Sequence, residues 1–331
     1  MDKTIKIWDT SRSVRNENLE SHTGSILSVA LSHDSTLIAS ASIDRTVKIW
    51  DTSSGTCLHT LEGHSELVRL VAFSHNSKQL ASSSDDGTVK TWDTRRGICL
   101  LTLEGIRYHP VSIAFSHNSS QLASVLRDGI VKIWDTNSGA CIQTLKGHGR
   151  WVNLVAFSHN SSQLASASSD DTVKIWDANS GACLHTLKGH SDLVDSVAFS
   201  SDSVWLASSS SDQTVKIWDA SSGTCLQTLE VGTRLRVISF DAGGLGLHTD
   251  IGTIAIHAPS ASISTLMESQ AVLYKGPGLS LNEEWITYNS ENVLRLPSEY
   301  RPNCSAVSAT TVVVGTGSGK VWICSFNIEN S

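Results

Sequence analysis

Four times along the 331-residue chain, a histidine, a serine, an aspartate and a tryptophan recur at identical spacing. The sets are His22, Ser42, Asp44 and Trp50; His64, Ser84, Asp86 and Trp92; His148, Ser168, Asp170 and Trp176; and His190, Ser210, Asp212 and Trp218. Serine, histidine and aspartate are the residue types of a hydrolytic triad, in which a carboxylate orients the imidazole that takes the serine proton. A single set would suggest a serine hydrolase, and that remains the alternative of a different class. Repetition argues against it, because a nucleophile is needed once, in an open pocket with an oxyanion hole, while a structural device is needed in every copy of a repeated unit. The third copy carries Ile106 and Leu126 at the histidine and serine positions but keeps Asp128 and Trp134. Losing one hydrogen-bonding partner strands the other, whereas replacing both by apolar groups is close to neutral. The paired change therefore reads as structural and marks this copy as the one with loosened loops.

Two further constellations invite a chemical reading. Gly315-Thr316-Gly317-Ser318-Gly319-Lys320 follows the apolar run Thr311 to Val314 and hints at a phosphate loop. Val321 stands where the hydroxyl for Mg²⁺ is needed, Val314 occupies the place of the first glycine, and the following residues read as a strand. A glycine-rich hairpin turn is the better expectation. Of the seven cysteines, Cys57, Cys99, Cys141, Cys183 and Cys225 are each 42 residues apart. They are one position copied five times, which points to reduced structural thiols and not to a disulfide framework. No metal site and no cofactor is expected.

The same 42-residue step separates Trp8, Trp50, Trp92, Trp134, Trp176 and Trp218. Within one copy, Val68 to Ser74 is an apolar β-rich run, His75-Asn76-Ser77 a turn, and Gln79 to Ser83 a second run. Asp86-Gly87 turns again, Thr88 to Trp92 alternates, Thr94 to Gly97 turns, and Cys99 to Leu103 is a fourth run. Short strands with turn residues every 8 to 12 positions and no helical periodicity define an all-β class. From about Glu230 the tryptophan signature is lost, but strand-like runs persist at Leu235 to Phe240, Thr253 to His257, Trp285 to Tyr288, Val293 to Leu296, Thr311 to Val314 and Val321 to Phe326.

Gly63-His64 with Trp92-Asp93, Gly147-His148 with Trp176-Asp177, and Gly189-His190 with Trp218-Asp219 resemble the signatures of the WD40 repeat family. The resemblance implies a β-propeller of four-stranded blades. Division of the length by the period favours eight blades, with seven as the alternative. Residues 1–20 are expected to be a truncated first repeat, 21–230 five regular repeats, and 231–331 degenerate blades of the same domain. Asp2 lies 42 residues before Asp44, so the chain starts within a repeat. N- and C-terminal strands are expected to close the ring, because a lone half-blade leaves strand edges unpaired. The resemblance also implies that Asp orients His, His meets Ser, and Ser meets the Trp indole N–H, so that the four sets are buried structural tetrads. Leu247 to Ile254 and Leu296 to Arg301 further resemble the C-terminal region of fungal NACHT-WD40 proteins, the heterokaryon-incompatibility, NLR-like receptors.

These resemblances imply a non-catalytic protein–protein interaction scaffold, the ligand-sensing part of such a receptor, and a truncated copy of it. A general WD40 adapter, for instance in mitochondrial fission or ubiquitin-ligase assembly, is the alternative within the same class. If the frame is shared among copies, recognition belongs where the copies differ. The variable positions are those flanking the apolar residue of the first strand and the one before the repeat aspartate. They give Leu67, Arg69, Asp85, His109, Arg127, Trp151, Asn153, Leu193 and Asp195 as a partner-binding top face for a protein or peptide. Net charge is −7, and no basic run exceeds Arg95-Arg96, so nucleic acid is not an expected partner. With no apolar run of signal or membrane-spanning length, the expectation is a cytoplasmic monomer without membrane insertion.

Overall fold

Alternating side chains decide where each strand lies and which way it faces. The computed structural model describes residues 6–9, 21–104, 110–125, 128–241, 243–249, 252–256, 279–281, 285–288, 291–296, 301–307 and 311–325. In the first full sheet, Ile26–Leu31, Leu37–Ser42, Val47–Asp51 and Cys57–Leu61 run antiparallel in chain order. Four more sheets repeat this plan at 68–103, 112–145, 152–188 and 194–230. In the second, the strands are Val68–Phe73, Gln79–Ser84, Val89–Asp93 and Cys99–Leu103, within one residue of the limits read from sequence.

Altogether the described strands form eight sheets, six of four strands and two of three, and no helix is found among the described residues. Three strands lie in the C-terminal region where the sequence shows no run, Gly246–Thr249, Leu279–Leu281 and Cys304–Val307. Seven sheets follow one another by direct contact, from the one that holds both chain ends through 26–61 to 238–255. The eighth, over 279–295, lies against the sheet with the chain ends. First strands of neighbouring sheets touch and so line the centre, while each fourth strand pairs only with its third and forms the outer edge. This is a β-propeller.

Sheets are held together face to face. Ala39, Ala41, Val47, Ile49 and Leu61 of one sheet pack on Val68, Val71, Phe73, Leu80 and Trp92 of the next. The 112–145 sheet packs on the 152–188 sheet in the same way, through Ala123, Val131 and Ile133 against Val152, Phe157, Leu164 and Trp176. Small residues on one face leave room for the large ones opposite, which gives close packing without strain. Each fully buried Val, Leu or Phe contributes about 1.5–3 kcal/mol.

Ring closure uses both ends of the chain. Lys6–Asp9 pairs in parallel with Val321–Ser325, Ile7 opposite Ile323, as the outer strand of a sheet that also contains Cys304–Val307 and Thr311–Gly315. That sheet packs Val313, Val321 and Ile323 on Ile26, Val29, Ile38 and Trp50. Gly315 permits the approach, since a Cβ there would lie 2.7 Å from Ile26 Cγ2. The glycine-rich segment is a hairpin turn: Thr316 N–H donates to Lys320 O at 2.8 Å, and Gly319 takes φ +85° between two antiparallel strands.

One sheet departs from the shared core. Thr91 replaces the isoleucine of Ile49, Ile133, Ile175 and Ile217, and Ser83 sits where two other sheets have Ala41 and Ala167. Both are fully buried, and neither hydroxyl has a hydrogen-bond partner among the described residues. An unpaired buried hydroxyl costs about 1–3 kcal/mol. Thr91→Val and Ser83→Ala are therefore each expected to raise the unfolding free energy by about 1 kcal/mol or more; a lower urea midpoint for either variant would contradict this.

Candidate functional site

The repeated polar sets are real networks with a different serine. Trp50 Nε1–H donates to Ser40 Oγ at 2.9 Å, and Ser40 Oγ lies 2.7 Å from His22 Nε2. His22 Nδ1 lies 2.9 Å from Asp44 Oδ2. The same links join Trp92, Ser82, His64 and Asp86; Trp176, Ser166, His148 and Asp170; and Trp218, Ser208, His190 and Asp212. The histidine, aspartate and tryptophan positions stand, whereas the serines expected at 42, 84, 168 and 210 are corrected to 40, 82, 166 and 208.

Ser40 and Ser42 are two residues apart on one strand and share a face, so alternation does not separate them. Cross-strand register does. Ser40 is opposite Lys48, two residues from Trp50, and within reach of the indole, whereas Ser42 closes the strand. There Ser42 Oγ donates to Gly24 O at 3.0 Å and accepts from Asp44 N–H at 3.2 Å, pinning the turn that carries the aspartate. The third copy is reinterpreted accordingly. Ser124 is present and accepts from Trp134 Nε1–H at 2.9 Å, so the serine of the network is not lost there. Ile106 and Leu126, on which the paired-loss reading rested, lie outside the described residues.

Proton order follows from the partners. The carboxylate accepts from Nδ1–H of the neutral imidazole, leaving Nε2 to accept from the serine hydroxyl, which in turn accepts from the indole. Asp170 also accepts from Gly149 N–H at 2.8 Å and from Thr172 Oγ1–H at 2.6 Å. Burial opposes its ionisation, but the bonds from Thr172, Gly149 and His148 outweigh burial and hold the carboxyl at about 2. Burial also lowers the imidazoles of His64, His148 and His190 against the pull of their aspartates.

This connectivity is that of a hydrolytic triad, yet it lacks access. Ser40, Ser82, Ser166 and Ser208 are completely buried, and each hydroxyl already accepts an indole N–H. The indole is enclosed too: His64 meets Trp92 edge-on at 6.2 Å, and Lys174 Nζ lies 6.0 Å over Trp176. Gly63 and Gly189 hold φ of +132° and +152°, and a Cβ on Gly189 would lie 3.5 Å from Trp218. The Gly-His pair thus combines a backbone that favours glycine with the network's imidazole.

Against known proteins, the profile of the WD domain, G-beta repeat (WD40) matches residues 13–51, 55–93, 97–135, 139–177 and 181–219, more than half of the chain. The chain belongs to the WD40 family. Each matched unit ends at the aspartate after the tryptophan, so the fourth strand of a sheet falls in the next unit, which interlocks neighbouring sheets. One stretch of 97 residues is 47% identical to the vegetative incompatibility protein HET-E-1 of Podospora anserina, covering 29% of this chain and 7% of that protein.

In this WD40 propeller the loops before the first strands and the turns between second and third strands share one end, the top. Many of the variable residues there engage one another. Arg69 forms a two-pronged ion pair with Asp85, Nη2 to Oδ2 at 2.7 Å. Asn153 accepts from Ser169 Oγ at 3.2 Å and donates to Val194 O of the next sheet at 2.8 Å. Asp195 accepts from Ser211 Oγ at 3.2 Å and pairs with Arg234, a residue missed in the sequence. The partners Arg69/Asp85, Asn153/Ser169 and Asp195/Ser211 are each 16 residues apart, and their joint variation was the available signal. Leu67 and Leu193 are half-buried, and His109 and Arg127 lie outside the described residues.

Trp151 is the most exposed of the described top-face residues, with 58% of its surface accessible. The repeated cysteines are not in the core: Cys57 is half-buried, and Cys99, Cys141, Cys183 and Cys225 are exposed on outer strands. Cys304 packs against the core beside Ile26, and burial pushes its thiol up to about 12. No group of three or more His, Cys, Asp or Glu among the described residues is placed to hold a metal ion.

Ser82→Ala strands two buried groups, the Trp92 indole and His64, and is expected to cost about 3 kcal/mol, against about 1 kcal/mol for Ser84→Ala. Chemical denaturation of both variants checks the order; the reverse would put the bridge on Ser84. A fluorophosphonate probe is expected to leave Ser40, Ser82, Ser166 and Ser208 unlabelled in the native protein, and stoichiometric labelling of any of them would show a reactive nucleophile.

Proposed function

We propose that this propeller is a non-catalytic recognition module that takes a protein or peptide on the end bearing Trp151, and that it senses a ligand for a fungal NLR-like receptor in the cytoplasm. The observation that carries the reading is Trp151 itself. Its carbonyl accepts from Ser169 N–H and from Ser168 Oγ–H, both at 2.8 Å, so the backbone is tied down while 58% of the residue's surface remains exposed. A rigidly presented, exposed tryptophan is the residue type most enriched among interface hot spots. Its counterparts Leu67 and Leu193 are smaller and half-buried, which makes the face asymmetric and able to distinguish partners.

Membership of the WD40 family supports an interaction role. The segment similar to a protein named for vegetative incompatibility supports the receptor setting, and the chain covers a small fraction of that protein's length. No helix among the described residues is long and apolar enough to cross a membrane. A monomeric ring fits a module that presents one end to a ligand.

Immobilised full-length protein is expected to capture a specific partner from a fungal lysate, with Trp151→Ala weakening capture by about 30-fold, the scale of a hot-spot loss of about 2 kcal/mol. The melting temperature of that variant is expected to match wild type, whereas His64→Ala is expected to lower it. Undiminished capture by Trp151→Ala would move recognition to another surface.

A further inference from the structure

The end of the propeller opposite Trp151 carries a column of four imidazoles. The turns between first and second strands read Ser-His-Asp-Ser at 32–35 and Ser-His-Asn-Ser at 74–77, 116–119 and 158–161. Their rings lie one against the next across four sheets: His33 is stacked on His75 at 3.9 Å, His75 is tilted against His117 at 3.6 Å, and His117 is tilted against His159 at 3.9 Å between centroids. The two central rings are half-buried, and the Nδ1 atom of each is buried without a hydrogen-bond partner among the described residues.

The turns beneath the rings are chained as well. Asn76 N–H donates to Ser119 Oγ at 3.3 Å, Asn118 N–H to Ser161 Oγ at 3.0 Å, and Asn160 N–H to Ser203 Oγ at 3.1 Å. In each case the accepting serine belongs to the turn of the next sheet, held at φ between 60° and 63°. Rings and backbone bonds together form a continuous strap across the turn end of the propeller.

We propose that the His33–His75–His117–His159 column is an acid-sensitive clasp, which locks these four turns to one another when neutral and releases them locally when it takes up protons. Nothing charged compensates its centre. Asp34 acts on His33 at one end and Asp202 on His159 at the other, while the charged groups that act on His75 and His117 are the imidazoles of the column itself. Burial and then the neighbouring imidazoles hold His75 down at about 3 and His117 at about 4, and burial also lowers His33. A histidine whose closed-state value is depressed favours the closed state fully above the ordinary value of about 6.5. That preference is lost progressively as pH falls from there towards 3 to 4, because the opened turn binds protons that the closed one does not.

The chain supplies its own control. A fifth turn, Ser200-Ser201-Asp202-Ser203, has serine in place of the histidine yet keeps the same geometry, with Ser203 at φ 63°. His75→Ser/His117→Ser is therefore compatible with the fold. Hydrogen–deuterium exchange of the full chain at pH 7.5 and pH 5.0, corrected for intrinsic exchange, reads the turns directly. In wild type, protection at Asn76, Asn118 and Asn160 is expected to fall by on the order of tenfold or more at pH 5.0, by the linkage above. An amide at the other end such as Asp44 is expected to hold, and the double variant is expected to lose the turn-specific response. Unchanged protection in wild type, an equal fall in the double variant, or an equal fall at both ends would overturn the clasp; the last would trace acid sensitivity to the buried tetrad histidines.

Discussion

A serine hydroxyl shared between an indole N–H and an imidazole nitrogen is the interaction on which the rest of the propeller depends. In four repeats it joins four pieces: the loop before the first strand through histidine, the second strand through serine, the third through tryptophan, and the turn between them through aspartate. The tryptophan so held is also part of the wall against which the preceding sheet packs its Ala, Val and Ile face. Polar network and apolar core are thus one device. A fully satisfied buried network specifies one geometry, and that geometry sets the shape the next sheet must match.

This frame explains why triad chemistry is present in connectivity and absent in effect. Catalysis needs the hydroxyl open to a substrate carbonyl and an oxyanion site beside it. Here the hydroxyl is sealed by the indole it supports. Its neighbour two residues on, at the strand end, does the separate work of fixing the turn aspartate. One strand therefore carries two serines of the same type, face and burial but of different function.

Repetition has opposite consequences at the two ends of the ring. At the top, side chains that vary between copies pair with one another, Arg69 with Asp85 and Asn153 with Ser169, and are half-buried, while Trp151 keeps 58% of its surface exposed. On the turn end, side chains that do not vary are brought into register from sheet to sheet, so identical imidazoles lie with their centroids within 4 Å of each other. A ring of copies places like beside like, and where the copied residue titrates, the fold creates an electrostatic tension that no single repeat contains.

The sequence by itself determined the period, the all-β class, the strand limits such as Cys99–Leu103, the hairpin nature of the glycine-rich segment, and the roles of His64, Asp86 and Trp92. These follow from local patterns, because alternation and turn chemistry act over a few residues. Which serine bridges, whether Arg69 faces a ligand or Asp85, that Arg234 completes the Asp195 pair, and that four histidines spaced 42 residues apart form one column were decided only by the tertiary structure. Each depends on cross-strand register or on sheet-to-sheet packing. A pattern of period two is blind to both, since it says which face a side chain takes and not what stands opposite it.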